Sequence, residues 1–332
     1  MGKASRTKSE PDRRARIAAQ RAEQRRAEQR RRIYLAGGSI LVVVIVVVAL
    51  VLVNLNKGSG TAATPSNGPT GAALTALTNQ VTGVPSSVTD KVGGGGIPSE
   101  LLISATTSSD AQSAASELGS FFAYVGGAAQ TSNGKPDILY IGAEYCPYCA
   151  AERWGLIVAL SRFGTFTGLS TLHSAAADGA GAAEPYPNTP TWTFAKATYT
   201  SQYLTFIPVE TYTNVPDSSN KYYYPLQTPT KAEQALLTKY DVPPLVPASD
   251  AGAIPFVDFG NKYAIGGAGY LPSTLAGLSW ATIAADLSNS SSTVAQQVDG
   301  TANYITAAIC GITGNTPAAV CNSTIQGIES KI

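Results

Sequence analysis

The sequence predicts an α/β domain that carries a large insertion and follows one transmembrane helix. Three observations predict it. Ile33 to Val53 is a stretch of 21 residues without charge, an apolar run leads directly into Cys146-Pro147-Tyr148-Cys149, and a strand–turn–strand pattern opens at Pro255 with a helical segment behind it. Whole-chain averages hide this organisation, because 23 Lys+Arg nearly cancel 22 Asp+Glu over the 332 residues. The chain has one His and four Cys. So few Cys argue against a disulfide-dense scaffold, one His against a polyhistidine metal centre, and a net charge of +1 against a uniformly basic nucleic-acid binder.

Charge is divided along the chain. Residues 1–32 hold 12 Lys/Arg and 4 Asp/Glu, which leaves 11 against 18 for residues 33–332. The boundary falls at Ile33, ahead of the apolar run Leu41 to Val53, and the uncharged stretch is close to the ~20 residues that a bilayer-spanning helix needs, which places the span at residues 33–55. Arg25, Arg26, Arg30, Arg31 and Arg32 precede this span whereas Lys57 alone follows closely, so the positive-inside bias places the N-terminus in the cytoplasm and the bulk of the chain outside. A cleaved signal peptide has a shorter apolar core and a small-residue cleavage site; here the run continues into Asn54-Leu55-Asn56-Lys57, which favours an uncleaved anchor. The basic arm, 1–32, sets topology and suits anionic lipid headgroups. No nucleic-acid motif accompanies it, and no nucleic-acid partner is expected. Residues 56–96, rich in Gly, Ser and Thr and ending near Gly93-Gly94-Gly95-Gly96, are expected to be a flexible linker. The extracytoplasmic domain is then 97–332, with an insertion at about 175–235 and a C-terminal disulfide segment at 303–325.

Ile138 to Ile141, bounded by Pro136 and Gly142, suits a buried central strand. A helix follows, with Pro147 in its first turn and Trp154, Leu156, Ile157, Leu160 and Phe163 as its apolar stripe. Cys146 therefore falls at a helix N-terminus, where unpaired N–H groups and the helix dipole stabilise a thiolate. It is the expected attacking sulfur. Cys149, one turn on, is placed to resolve a mixed disulfide. A zinc half-site or an inert disulfide are the competing readings, but Cys310 and Cys321 lack the spacing of a second zinc pair.

The sequence strand, Cys-Pro-Tyr-Cys, helix resembles the thioredoxin superfamily, and Pro147-Tyr148 is also the dipeptide found in glutaredoxins. The wider context, Ile141 to Trp154 with Pro187-Asn-Thr-Pro-Thr191 downstream, is similar to the family known as domain of unknown function 929, found in archaea and actinobacteria. The similarity covers most of residues 97–330. It implies a thioredoxin-like fold in an extracytoplasmic setting and supplies no substrate. It further implies that Ile254-Pro255 is a cis peptide beside the Cys pair, with the Ile254 backbone pairing to an extended substrate; an ordinary trans Pro opening an edge strand is the alternative. Gly260-Asn261 is the turn signal behind Pro255, and Trp280 to Leu287 the closing helix.

Cys146 and Pro255 are 109 residues apart, more than such a fold requires, which motivates the insertion. Between Pro185 and Pro229 it carries seven Tyr together with Trp192, Phe194 and Phe206; these either pack an enlarged core or form a peptide-contacting surface. Tyr199 to Ile207 is a candidate strand. Cys310 and Cys321 are expected to pair as a structural clamp, a redox relay being the alternative. Glu144 is a candidate proton carrier if buried, and otherwise a solvated loop residue. Glu152 and Arg153 read as an exposed pair or as a field on the Cys site.

The expectation is a membrane-anchored thiol–disulfide oxidoreductase acting on protein thiols outside the cell. Cys146, Cys149 and Pro255 carry the chemistry, Pro147, Tyr148 and Ile254 contact substrate, and a membrane redox partner exchanges electrons. No cofactor and no metal are expected. A non-catalytic binding module with two structural Cys pairs is the alternative, and metal delivery through Cys146 and Cys149 a third.

Overall fold

An eight-residue strand, β4 (Lys135–Gly142), organises the domain. The computed structural model describes residues 68–97, 102–103, 122–177, 184–219 and 222–332. The basic arm, the span expected at 33–55 and the start of the expected linker lie outside the described residues. Among the described residues no helix is long and apolar enough to cross a membrane.

The fold is mixed α/β. Beside β4 runs β12 (Phe256–Phe259), antiparallel, and then β13 (Tyr263–Gly266), β2 (Phe122–Tyr124) and β1 (Leu102–Ile103). On the other side, the short β3 (Thr131–Ser132) pairs with the first residues of β4, and β9 (Thr205–Glu210) runs parallel to it from Asp137↔Thr205 to Gly142↔Glu210. Every residue of β4 from Asp137 onward is buried. This is why it reads as an unbroken apolar run: both faces are covered, so alternation sorts side chains between two cores without exposing either set. Ile138 and Tyr140 join α3 (Pro147–Leu160), α5 (Trp280–Asp286) and α6 (Thr293–Thr313) on one face. Leu139 and Ile141 join Leu237 of α4 (Lys231–Tyr240) with Leu245 and Val246 on the other.

The helix expected after the Cys pair is present, but all of α3 except Tyr148 is buried. Its apolar stripe is one sector of a fully enclosed helix. Glu152 and Arg153 are accordingly not an exposed pair: both are at 0% exposure. On one side α3 crosses α6 so closely that a Cβ on Gly155 would lie 2.8 Å from Thr301 Cγ2. α6 has no counterpart among the sequence expectations although Val294, Val298, Ile305 and Ile309 recur at helical spacing, because the Gly, Thr and Asn between them, buried here as well, have the composition of a loop.

The expected linker ends earlier than residue 96. Residues 71–82 form α1 (Gly71–Thr82) and 86–92 form α2 (Ser86–Val92), with Leu77, Val81 and Val92 buried. Asn303 of α6 donates from Nδ2 to the carbonyls of Thr89 (2.8 Å) and Gly93 (2.7 Å). Gly95 has φ +60°, and a Cβ there would lie 2.0 Å from the Gln296 carbonyl. The glycine run is thus a close crossing over α6, a use of glycine that composition cannot distinguish from a tether.

The segment 175–235, expected as an insertion, is not wholly separate from the sheet, since it supplies β9. Tyr199 to Ile207 is two strands, with β8 (Thr198–Ser201) ending before β9 begins. Three two-stranded ribbons complete the region: β5 (Gly164–Thr167) with β8, β6 (Ser170–His173) with β7 (Pro190–Thr193), and β10 (Tyr212–Pro216) with β11 (Tyr223–Pro225). The aromatics divide accordingly. Trp192, Phe194 and Phe206 are core, whereas Tyr212, Tyr222 and Tyr224 are exposed.

Cys310 and Cys321 form a disulfide that joins the end of α6 to the chain entering α7 (Ser323–Glu329), and both are buried. Ile312 packs beside Gly260, whose N–H donates to the Asp137 carbonyl at 2.7 Å. The disulfide therefore sits at the Asp137 end of β4. Cys146 follows the Gly142 end, roughly 17 Å away along the strand, a placement that suits a clamp better than a relay. Replacing both Cys310 and Cys321 by Ala is expected to lower unfolding free energy by about 3 kcal/mol for so short a loop, measured by denaturant titration, while the alkylation rate of Cys146 stays the same.

Candidate functional site

Cys146 sits where β4 has ended and α3 begins. Its backbone is extended, with φ −75° and ψ 124°, and its Sγ caps the helix by accepting the Cys149 N–H at 3.3 Å. Pro147 occupies the first helical position, where a missing N–H costs nothing. Both Cys are free thiols; Cys146 is 6% exposed and Cys149 fully buried. The Ile254–Pro255 bond is cis, and Pro255 leads into β12, whose Phe256 pairs with Ile141 of β4. This brings the Ile254 carbonyl to 3.7 Å from Cys146 Sγ, which donates to it as a thiol.

The turn carrying Cys146 is held by the ribbons. Glu144 N–H donates to the Tyr212 carbonyl on β10, and Ala175 N–H donates to the Tyr145 carbonyl, both at 2.9 Å. The Tyr145 and Tyr223 rings stack with centroids 4.3 Å apart. From the far side of α3, the Pro187–Thr191 motif anchors the helix: Thr191 Oγ1 donates to the Ala150 carbonyl at 2.9 Å, and Trp154 Nε1 to the Pro190 carbonyl at 2.9 Å. Trp280 Nε1 in turn donates to the Thr191 carbonyl at 2.8 Å.

Beneath the thiols lies a buried ion pair. Arg153 is one turn beyond Cys149 on the same face of α3. It reaches Glu210 with Nε at 2.9 Å and Nη2 at 2.7 Å, and Nη2 also donates to the Ala143 carbonyl at 2.6 Å. The guanidinium lies over the Tyr140 ring at 5.9 Å. Burial alone would weaken its charge, but Glu210 more than offsets this and keeps it protonated. For Cys146, burial pushes the thiol pKa up, while hydrogen bonds from Cys149 and the Arg153 charge pull it down, and the net direction is down. For Cys149, burial and the neighbouring Cys146 hold the pKa well up. The two thiols are thus differentiated, Cys146 shifted toward the thiolate and Cys149 away from it.

Glu144 is buried rather than solvated, and Thr193 Oγ1 donates to its Oε1 at 2.7 Å. Burial raises its pKa, with the Thr193 hydrogen bond opposing and Glu210 adding to the rise. This carboxyl, raised by burial, lies two residues before Cys146 in the chain. Glu152 faces away from this network, accepting from Gly269 N–H at 3.2 Å, and burial pushes it up to about 8. His173 packs edge-on against Trp280 at 4.4 Å. Among the described residues there is no group of three or more His, Cys, Asp or Glu side chains placed to hold a metal ion.

Cys146 opens onto a groove of about 660 Å³ lined by Tyr145, Pro147, Tyr148, Tyr212, Pro225 and Ile254, among others. Pro147, Tyr148 and Ile254, the expected contact residues, therefore meet around the nucleophile. Sequence reasoning missed Glu210 and Thr193, whereas Tyr212 and Tyr223 belong to the Tyr-rich segment read as either enlarged core or peptide-contacting surface. Glu210 is an acidic residue ending an apolar strand, which signals burial with a cation but not which cation; Thr193 carried no signal.

Two outcomes test this site. Alkylation of Cys146 is expected to have its pH midpoint below the ~8.5 of a free thiol; Arg153→Met moves the midpoint up and Glu210→Gln moves it down, each at a stability cost of about 3–5 kcal/mol for stranding a buried partner. The fold keeps Glu152 protonated up to a pH of about 8, whereas the unfolded chain releases that proton near 4.5, so stability falls as pH rises through this window. Glu152→Gln is expected to raise the melting temperature at pH 8 and to change it little at pH 4.

No curated protein and no solved structure matches this chain. The family model described as Domain of unknown function (DUF929) matches residues 121–311, a span that contains β4, the Cys pair, the ribbons and Pro255. That match covers more than half of the 332 residues, and the chain belongs to this family.

Proposed function

We propose that this protein is a thiol–disulfide oxidoreductase with a thioredoxin-like core, anchored by residues 33–55 and acting on protein thiols outside the cell. One observation carries the reading: a helix-capping Cys146, 6% exposed and lining a groove, faces the carbonyl before cis-Pro255, with a fully buried Cys149 behind it. The parallel pair β4 and β9, the crossing helix α3 and the antiparallel hairpin β12–β13 are the arrangement expected of a thioredoxin-like core.

In the reducing direction the Cys146 thiolate attacks a substrate disulfide, forming a mixed disulfide and releasing one substrate thiolate. Cys149, deprotonated as it attacks, then displaces the second substrate thiolate from Cys146 and closes the Cys146–Cys149 disulfide. Two electrons have passed to the substrate, and a membrane redox partner must restore the dithiol. In the oxidising direction a substrate thiolate attacks Cys146 of the disulfide form, Cys149 leaves as a thiolate, and a second substrate thiol displaces Cys146. Glu144, two residues before Cys146 in the chain and raised in pKa by burial, is the proposed carrier of the proton that accompanies these steps.

Cys149→Ala removes the resolving thiol and keeps Cys146, which loses the Cys149 side-chain hydrogen bond but retains the backbone one. It is expected to accumulate disulfide-linked proteins on Cys146, visible on non-reducing gels and released by dithiothreitol, and these disappear in Cys146→Ala/Cys149→Ala. A reduced Cys146 that traps nothing and resists small disulfides sinks this reading in favour of a non-catalytic binding module. Stoichiometric zinc or copper protecting both thiols would favour metal delivery.

A further inference from the structure

We propose that the groove at Cys146 takes an extended segment of a partner polypeptide, with its cysteine over Cys146 and its acidic side chains over Lys231 and Lys239 of α4. The inference rests on the oxidoreductase reading and names the substrate class for that same site.

The groove does not end at the thiol. A second cavity, of about 640 Å³, shares Thr228, Pro229 and Gln234 with the first and continues along α4, where Lys231 and Lys239 line it. The result is one trough running from the start of α3 over the exposed side of α4. Its charge is segregated. Glu184 lines the cysteine end, and two exposed lysines line the far end. Glu233, the acidic residue between them on α4, is turned toward the helix cap, where it accepts the Thr230 N–H at 2.6 Å, and the Lys239 ammonium donates from Nζ to the Tyr240 hydroxyl at 2.8 Å.

The apolar wall is equally localised. Of the large hydrophobic side chains exposed among the described residues, Tyr212, Val215, Tyr222, Tyr224 and Leu226 all fall on or beside the β10–β11 ribbon, and Tyr124 is the remaining one. Tyr212 and Pro225 of that ribbon form the groove wall beside Cys146. Exposed aromatic area next to a reactive thiol suits a polypeptide strand, because rigid aromatic rings gain contact area at low entropic cost. The charge gradient then selects strand orientation and composition, since like charges facing each other are disfavoured at both ends.

The test uses full-length Cys149→Ala protein in detergent. Two peptides of equal length carry one cysteine activated as a pyridyl disulfide, followed by either an Asp-rich or a Lys-rich tail. The Cys146 thiolate attacks the peptide sulfur, the peptide–Cys146 disulfide forms, and pyridine-2-thione leaves and is read by its absorbance. Each rate is divided by that of the same protein with dipyridyl disulfide, a small reagent with no tail. The acidic peptide is expected to react roughly five- to tenfold faster than the basic one at low salt, an advantage that shrinks at high salt. Lys231→Glu/Lys239→Glu is expected to reverse the preference. Equal normalised rates for the two peptides in both proteins overturn the assignment of the groove while leaving the oxidoreductase reading intact. If dipyridyl disulfide itself fails to modify Cys146, the oxidoreductase reading has failed instead.

Discussion

The ion pair between Arg153 and Glu210 is the constraint on which the rest of the site depends. A guanidinium at 0% exposure has no water to solvate it, so protein groups must do so; Nε and Nη2 find acceptors, whereas Nη1 has none among the described residues. Those groups come from three elements: Glu210 at the end of β9, the Ala143 carbonyl just past β4, and the Tyr140 ring within β4. Meeting them fixes α3 against two adjacent parallel strands in a single register. Such a pair contributes little net stability because desolvation offsets its attraction, yet losing one member strands the other. Here it couples the position of the Cys helix to the end of the sheet, and it leaves a positive charge one turn beneath Cys149.

From that anchor the remaining features follow in layers. Glu210 also accepts the Phe194 N–H at 3.2 Å, which draws the aromatic segment after β7 against the sheet. Thr193, in the same segment, reaches Glu144, and Tyr212, two residues past Glu210, receives the Glu144 N–H. The ribbons are therefore the scaffold of the turn that presents Cys146. The molecule is also polarised along β4. Cys146, Cys149, the groove and the exposed Tyr212 lie at the Gly142 end, while the Cys310–Cys321 disulfide lies at the Asp137 end.

The clearest sequence signals were those with a local cause. A continuous apolar run marked β4 because both its faces are buried; Pro147 marked the helix start because its ring suits the first turn; and Gly260-Asn261 marked the hairpin because both residues have positive φ. The signals that misled were local appearances overruled by packing. Gly93 to Gly96 has the composition of a tether, but α6 approaches Gly95 so closely that a side chain there would not fit. Glu144 and Glu152 look solvated by residue type, yet both lie under other elements, and residue type alone cannot reveal what covers a position.

By itself the sequence determined the chemistry available: one Cys pair spaced for thiol exchange at a helix start, a second pair spaced for a short loop, and a strand–Pro–hairpin unit able to face the first. These follow from backbone geometry over a few residues. Only the tertiary structure decided which charges stand near the thiols, because Arg153 and Glu210 are 57 residues apart in the chain and meet solely through the parallel pairing of β4 with β9. The same holds for the groove, whose walls come from α3, β10, β11, α4 and the Pro255 loop. Spacing along a chain carries no record of such long-range pairings, and the side chains brought together there distinguish a reactive thiol from an inert one.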